Sequence, residues 1–281
     1  MKKVIVVSDF FYDMVQGGGE ASDAVLCNIL HTNGYICVKK RCIEPPSEPI
    51  DLFYNKNNEL RIITNFTMLS EHNKKVLTDN CKYIIYEHDY KCFAERHPTR
   101  YKEENYFVPK DQLRNVDFYK SAKLVICQTN LQKEIIEKNL ELTNCWSLDG
   151  NLYSKHELDF LQYHYTHSSE EKNGLYAIIN DDNPIKGKKD AIRYADKNKL
   201  QYGLISNKNR LKFFEELSKF DGIILMPTIL ESCSRLAIEA KLMGLEVISR
   251  NCPIMLQDFD LESITNCREK VLNKISEVVG E

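Results

Sequence analysis

Several things are missing from this 281-residue sequence, and each absence closes off a class of function. No apolar run approaches the length of roughly 20 residues that a membrane-spanning helix needs. The apolar start Val4–Val7 is cut short by Ser8 and Asp9, which is too brief for the core of a signal peptide. The ten cysteines include no C-x-x-C and no Cys/His spacing of the kind that holds zinc. There is no dinucleotide fingerprint, no P-loop and no repeat at solenoid spacing. No D-x-D run stands near a strand end, so the usual carboxylate pair for a nucleotide-bound metal is not in evidence. Lys and Arg number 38 against 41 Asp and Glu, a net charge of −3. That balance gives no overall footprint for non-specific nucleic-acid binding, though it leaves room for a local basic groove.

What remains is ordinary globular material, 43% hydrophobic and 28% charged. The length suits one large or two small domains. Cys81 and Cys127 fall beside or within apolar strand-like runs, where a thiol behaves as a small hydrophobe. Reduced thiols and a cytoplasmic location are expected.

Short apolar runs alternate with amphipathic stretches along the whole chain, the pattern of an α/β doubly wound fold. Strands are predicted at Lys3–Ser8, Tyr35–Arg41, Arg61–Thr64, Lys82–Tyr86, Leu124–Gln128 and Asn144–Gly150. A second series follows at Leu175–Asn180, Gln201–Ser206, Phe220–Met226 and Glu246–Ser249. Lys3–Ser8 does not alternate, which places it inside a parallel sheet. Residues 152–172 read as a linker carrying a helix over Lys155–Tyr163, and its three histidines form no zinc pattern. A last helix is predicted at about Leu272–Val279.

Polar chemistry gathers where strands end, the place where parallel sheets bind ligands. Gly17-Gly18-Gly19-Glu20 opens a helix whose inner side is Ala21, Ala24, Val25, Ile29 and Leu30. A glycine loop there can receive an anion on exposed backbone N–H groups, or be a plain turn. After the fourth strand comes Glu87-His88-Asp89-Tyr90-Lys91, then Arg96 and Arg100. His88 is a candidate for proton handling, or a loop histidine bonded to its own backbone. Glu20, Asp89, Arg96 and Arg100 are candidate acceptor or phosphate contacts, and both arginines read equally as solvated charges. Glu231 precedes a helix that Ser232 or Ser234 can cap. Within that helix Glu239 lies on the apolar stripe of Leu236, Leu242 and Met243, a costly place for a carboxylate without a partner. The partner is either Arg235, one turn back, or the hydroxyls of a ligand.

Glu231, seven residues, then Glu239-Ala240, behind a strand ending in Met226-Pro227, resembles the E-x(7)-E signature of family 4 retaining glycosyltransferases. The resemblance implies the GT-B fold, two Rossmann-like domains facing across a cleft. It implies an N-terminal acceptor-side domain over 1–151, a nucleotide-sugar domain over 152–264, and a terminal helix, 265–281, packing back on the first. Gly17-Gly18-Gly19-Glu20 resembles the family's glycine-rich loop, which faces the donor phosphate. Lys186-Gly187 matches the Lys-Gly pair whose lysine binds the donor diphosphate. A basic residue expected a few positions earlier has no counterpart in Asn180–Asn183, and Ser147–Asn151 departs from the family's turn at that point. The run EHDYK resembles a block of glycosyltransferase-like proteins encoded by bacteriophages, which would place the enzyme in the host cytoplasm.

By this resemblance the co-substrate is a nucleotide diphosphate-sugar such as a UDP-sugar, with no cofactor and no metal. Glu239 would bind ribose hydroxyls, Lys186 and Gly187 the phosphates, and Glu231 with Ser232 the transferred sugar. The glycine loop would stabilise the leaving diphosphate. His88 and the glycine loop would face Lys186 and Glu231. The acceptor would be a glycan or small molecule, or DNA carrying a hydroxymethylated pyrimidine. DNA would need a basic groove, for which Lys91, Arg96, Arg100, Lys102 and Lys110 are candidates. The alternative is a sugar-nucleotide or anion-binding protein without transferase activity. Oligomeric state is not readable from the sequence.

Overall fold

The computed structural model describes residues 2–43, 59–167, 172–206 and 209–280. The chain divides into two compact units, Met1–Tyr153 with Asn266–Glu281, and Ser154–Thr265.

The first unit is built on a six-stranded sheet in which every pairing is parallel. Its strands are β1 (Lys3–Ser8), β2 (Ile36–Arg41), β3 (Leu60–Ile63), β4 (Tyr83–Tyr86), β5 (Leu124–Cys127) and β6 (Cys145–Ser147), in the order β2-β1-β3-β4-β5-β6. β1 is interior, as its unbroken Val-Ile-Val-Val run requires, because both of its faces are covered. β2 lies at the edge, half-exposed, and carries Lys39, Lys40 and Arg41, charges that discourage edge-to-edge pairing. Helix α1 (Gly18–Thr32) packs Val25, Leu26, Ile29 and Leu30 into a core with Val4, Val6, Ile62, Ile84 and Ile126. The same core takes Cys267, Val271, Ile275 and Val278 from the last helix, a stripe at spacings of four, four and three. α2 (Glu71–Asn80), α3 (Val116–Ser121) and α4 (Asn130–Leu140) complete this unit. Ser70 and Thr129 cap α2 and α4 by accepting from Asn73 N and Gln132 N.

The second unit carries α5 (Lys155–His167), β7 (Tyr176–Ile179), α6 (Lys188–Lys197), β8 (Tyr202–Ile205), α7 (Arg210–Leu217), β9 (Gly222–Leu225), α8 (Arg235–Leu242) and β10 (Glu246–Ser249). Its four strands run parallel in the order β10-β9-β7-β8. Ile178, Ile224 and Met226 meet Ala191 and Ala195 of α6, where small residues let the helix lie close to the sheet.

Two expectations need correction. Residues 155–167 are a continuous helix, not a linker with a short one. Leu158 and Leu161 are buried, and aromatic pairs one turn apart carry the helix through its histidines: Phe160 with His164 at 4.5 Å and Tyr163 with His167 at 4.2 Å. The last helix, α9 (Leu261–Gly280), starts well before Leu272, because Asp260 accepts from Ser263 N and initiates it. Ser234 takes the N-cap position of α8 without a side-chain cap bond.

Candidate functional site

In each sheet the chain order reverses once, between β1 and β3 in the first unit and between β7 and β9 in the second. Loops leaving the carboxyl ends of strands on either side of such a point diverge and open a crevice. Gly17, Gly18 and Gly19 follow β1, and Lys186 and Glu231 follow β7 and β9, on such loops; His88 follows β4, one strand beyond the first unit's reversal.

In the second unit, Lys186 ends the turn Pro184–Lys186 after β7, and Glu231 lies in the loop after β9. Lys186 Nζ stands 3.4 Å from Glu231 Oε1, with the lysine half-exposed and the glutamate largely covered. Backbone bonds fix both loops: Thr228 N donates to Ile185 O at 3.0 Å, and Glu231 N to Asn251 O at 3.0 Å. Gly187 has φ +70°, and a Cβ there would run into the carbonyl of Met226. This residue is therefore demanded by the close approach of two backbones at the crevice, and only a residue without a side chain satisfies it. Ser232 is buried beside Glu231.

Glu239 is buried, 2% exposed, and the arginine expected beside it has a companion. Arg235 Nε lies 3.5 Å from Glu239 Oε1, as the i, i+4 spacing predicts. A second arginine, Arg210 at the start of α7, binds the same oxygen more closely. Arg235 also donates to Glu157 Oε1 of α5 at 2.9 Å. Two arginines and two glutamates thus form one cluster across α5, α7 and α8. Arg210 and Glu157 are not foreseeable as its partners, because neither lies on the helix that carries Glu239.

In the first unit, His88 follows β4 and does not bond to its own backbone through Nε2. That nitrogen lies 2.8 Å from Asp23 Oδ1 on α1. Asp23 is 1% exposed and accepts from Thr64 Oγ1 at 2.6 Å. The imidazole sits against Gly19 on one side, where a Cβ would come within 3.2 Å of it, and 4.5 Å from the Tyr86 ring. The structure therefore brings the glycine loop and His88 together. Gly17 is the N-cap of α1, and Gly18 and Gly19 form its first turn. The Glu20 carboxylate folds over Gly17, so a negative charge already stands at this helix N-terminus.

Residues flanking His88 form a buried ionic brace. Lys91 Nζ lies 2.6 Å from Glu87 Oε1 and 2.9 Å from Asp89 Oδ1, and Tyr119 donates its hydroxyl to Glu87. Burial pushes the Glu87 carboxyl up. Burial acts on Asp89 in the same sense but is overcome by Lys91, the Glu87 contact and Arg96, which hold its carboxyl well below the usual range. Gln132 donates to Asp89 O at 2.6 Å, so His88 is pinned on both sides. Arg96 pairs with Asp89, and Arg100 with Glu95 at 3.1 Å. Three of the five cations expected to form a basic groove are thus occupied by carboxylates, and Lys91 is inside the protein, 3% exposed. Among the described residues no cluster of His, Cys, Asp and Glu is arranged to hold a metal ion, and all ten cysteines are free thiols.

No family model matches the sequence, and no curated protein is similar to it. Solved structures are similar in fold. Anabaena Alr3699/HepE in complex with UDP and glucose superposes with a TM-score of 0.54 at 11% identity, over 99% of this chain and 92% of that one. An alpha-glucosyltransferase in complex with UDP and a 13-mer DNA containing an HMU base superposes with a TM-score of 0.52 at 11% identity. There the match covers 99% of this chain and 90% of the other. The fold is α/β with two Rossmann-like units, of the GT-B type.

Proposed function

We propose that the protein is a glycosyltransferase that moves a sugar from a UDP-sugar, with UDP-glucose the first candidate, to an acceptor hydroxyl. The observation that carries this reading is the Lys186–Glu231 pair at the switch point of the second unit's sheet. A cation 3.4 Å from a carboxylate suits a phosphorylated sugar, the lysine taking the diphosphate and the carboxylate the sugar hydroxyls. The fold's likeness to proteins solved with UDP-glucose and UDP supports the choice of nucleotide.

Glu239 is the proposed ribose ligand. His88, oriented by Asp23, is the proposed group on the acceptor side, receiving the proton of the attacking hydroxyl. Lys186 stabilises the leaving diphosphate without a metal, and the anomeric configuration is retained. The acceptor is a glycan or small molecule. A second reading, a modified base in DNA, is favoured by the likeness to the alpha-glucosyltransferase solved with HMU-containing DNA. That reading requires cations other than Lys91, Arg96 and Arg100.

The test is a thermal melt with UDP, UDP-glucose, GDP-glucose or ADP-glucose added. Binding to the folded state raises the Tm. Stabilisation by UDP-glucose that is lost in Lys186→Ala supports the reading. No shift with any nucleotide-sugar contradicts it.

A further inference from the structure

We infer that Arg210 is a positioning residue for the donor nucleotide: it holds Glu239 in the orientation that reads the ribose, and so sets selectivity for ribonucleotides. The inference rests on the proposed ribose role of Glu239.

The closest ionic contacts of Glu239 fall on one oxygen. Arg210 and Arg235 both reach Oε1. Among the described residues the hydrogen bond to this carboxylate goes to Oε1, and both arginines make their closest approach to that oxygen. A carboxylate 2% exposed, with one oxygen clamped by two cations, presents the other in a fixed direction. That is the arrangement for accepting from a hydroxyl rather than for a closed ion pair, in which both oxygens would be taken.

Arg210 suits the clamp better than Arg235. Arg235 is divided between Glu239 and Glu157, and its closer contact is with Glu157, at 2.9 Å against 3.5 Å. Arg210 makes its closest contact with Glu239 and lies farther from Glu157, at 3.6 Å. Its guanidinium also stands 5.0 Å from the centroid of the Phe214 ring, one turn along α7, which limits its rotamers. Phe160 backs that ring at 6.1 Å. α5 and α7 thus hold one arginine, which in turn fixes a glutamate on α8.

The test compares UDP with 2′-deoxy-UDP by titration calorimetry. Losing a hydrogen bond to a charged acceptor costs the wild type roughly tenfold or more in affinity for the deoxy ligand. In Arg210→Met the ratio should collapse toward one while UDP itself binds roughly tenfold more weakly. Arg210→Lys, which keeps the charge, should recover part of the ratio. A purely structural arginine would weaken both ligands alike or lower the Tm without changing the ratio, and an unchanged ratio in folded Arg210→Met overturns the inference. If Arg210→Met does not fold, Arg210→Gln, which keeps a polar side chain but removes the charge, takes its place; the ratio should again fall, and a full wild-type ratio would count against the clamp. A wild type that binds UDP and 2′-deoxy-UDP equally defeats a different claim, the ribose role of Glu239.

Discussion

A buried carboxylate has to be explained residue by residue, and the two in this protein that matter most are explained differently. Glu239 is neutralised by arginines that make their closest approach to one of its oxygens. Asp23 is held by Thr64 and His88 beneath the glycine loop. Glu239→Ala is expected to abolish the Tm shift given by UDP-glucose, and an undiminished shift would reduce Glu239 to an ion-pair partner. Lys186→Ala should weaken UDP-glucose about tenfold or more, the scale of a charge-assisted contact to phosphate. His88→Ala should lower turnover while leaving donor affinity near wild type, which steady-state kinetics at saturating donor will show. Unchanged turnover removes His88 from the reaction. Asp23 was not legible in the sequence, because a charged residue early in a helix normally points to water. Arg210 was not legible because 29 positions separate it from Glu239. Glu231, Glu239 and His88 stood out by their places at a strand end or on an apolar stripe, whereas Lys186 was reached only through the resemblance of Lys186-Gly187 to the family's Lys-Gly pair.

At the scale of elements, legibility follows the strength of the apolar run. β10 was expected at Glu246–Ser249 and is found there, and β1 is interior because its run does not alternate. α9 was underestimated because its first turns are held by an N-terminal cap and carry few apolar residues, which periodicity does not detect. Its buried stripe is testable: Ile275, 0% exposed, should cost about 2–5 kcal/mol when cut to Ala, read as a lower urea midpoint. Thiols give a second test. Burial pushes Cys267 up to about 11 and Cys252 up to about 12, against roughly 8.5 in an unfolded chain. The folded state then keeps protons that the unfolded state has lost. This contribution is complete below about pH 8.5 and drains away as pH rises toward those folded values. The urea midpoint should fall between pH 8 and pH 10.5, and less steeply in Cys267→Ala. A midpoint independent of pH over that range would show that these thiols do not distinguish the folded state from the unfolded one.

At the scale of the whole molecule, a GT-B-type fold with Lys186 and Glu231 at a sheet switch point is proposed to be a working transferase rather than a passive binder. Excess chelator should leave activity intact, and a loss restored by magnesium or manganese would contradict the metal-independent proposal. The most direct measurement is transfer itself. UDP-glucose labelled in the sugar is incubated with the protein and a panel of acceptors: oligosaccharides, small hydroxylated molecules, and DNA with and without HMU bases. Label is expected on one acceptor class with an equal amount of UDP released, slow release of UDP to water in its absence, and neither in Glu231→Ala. UDP-glucose that binds and raises the Tm but is neither transferred nor hydrolysed would contradict the proposal.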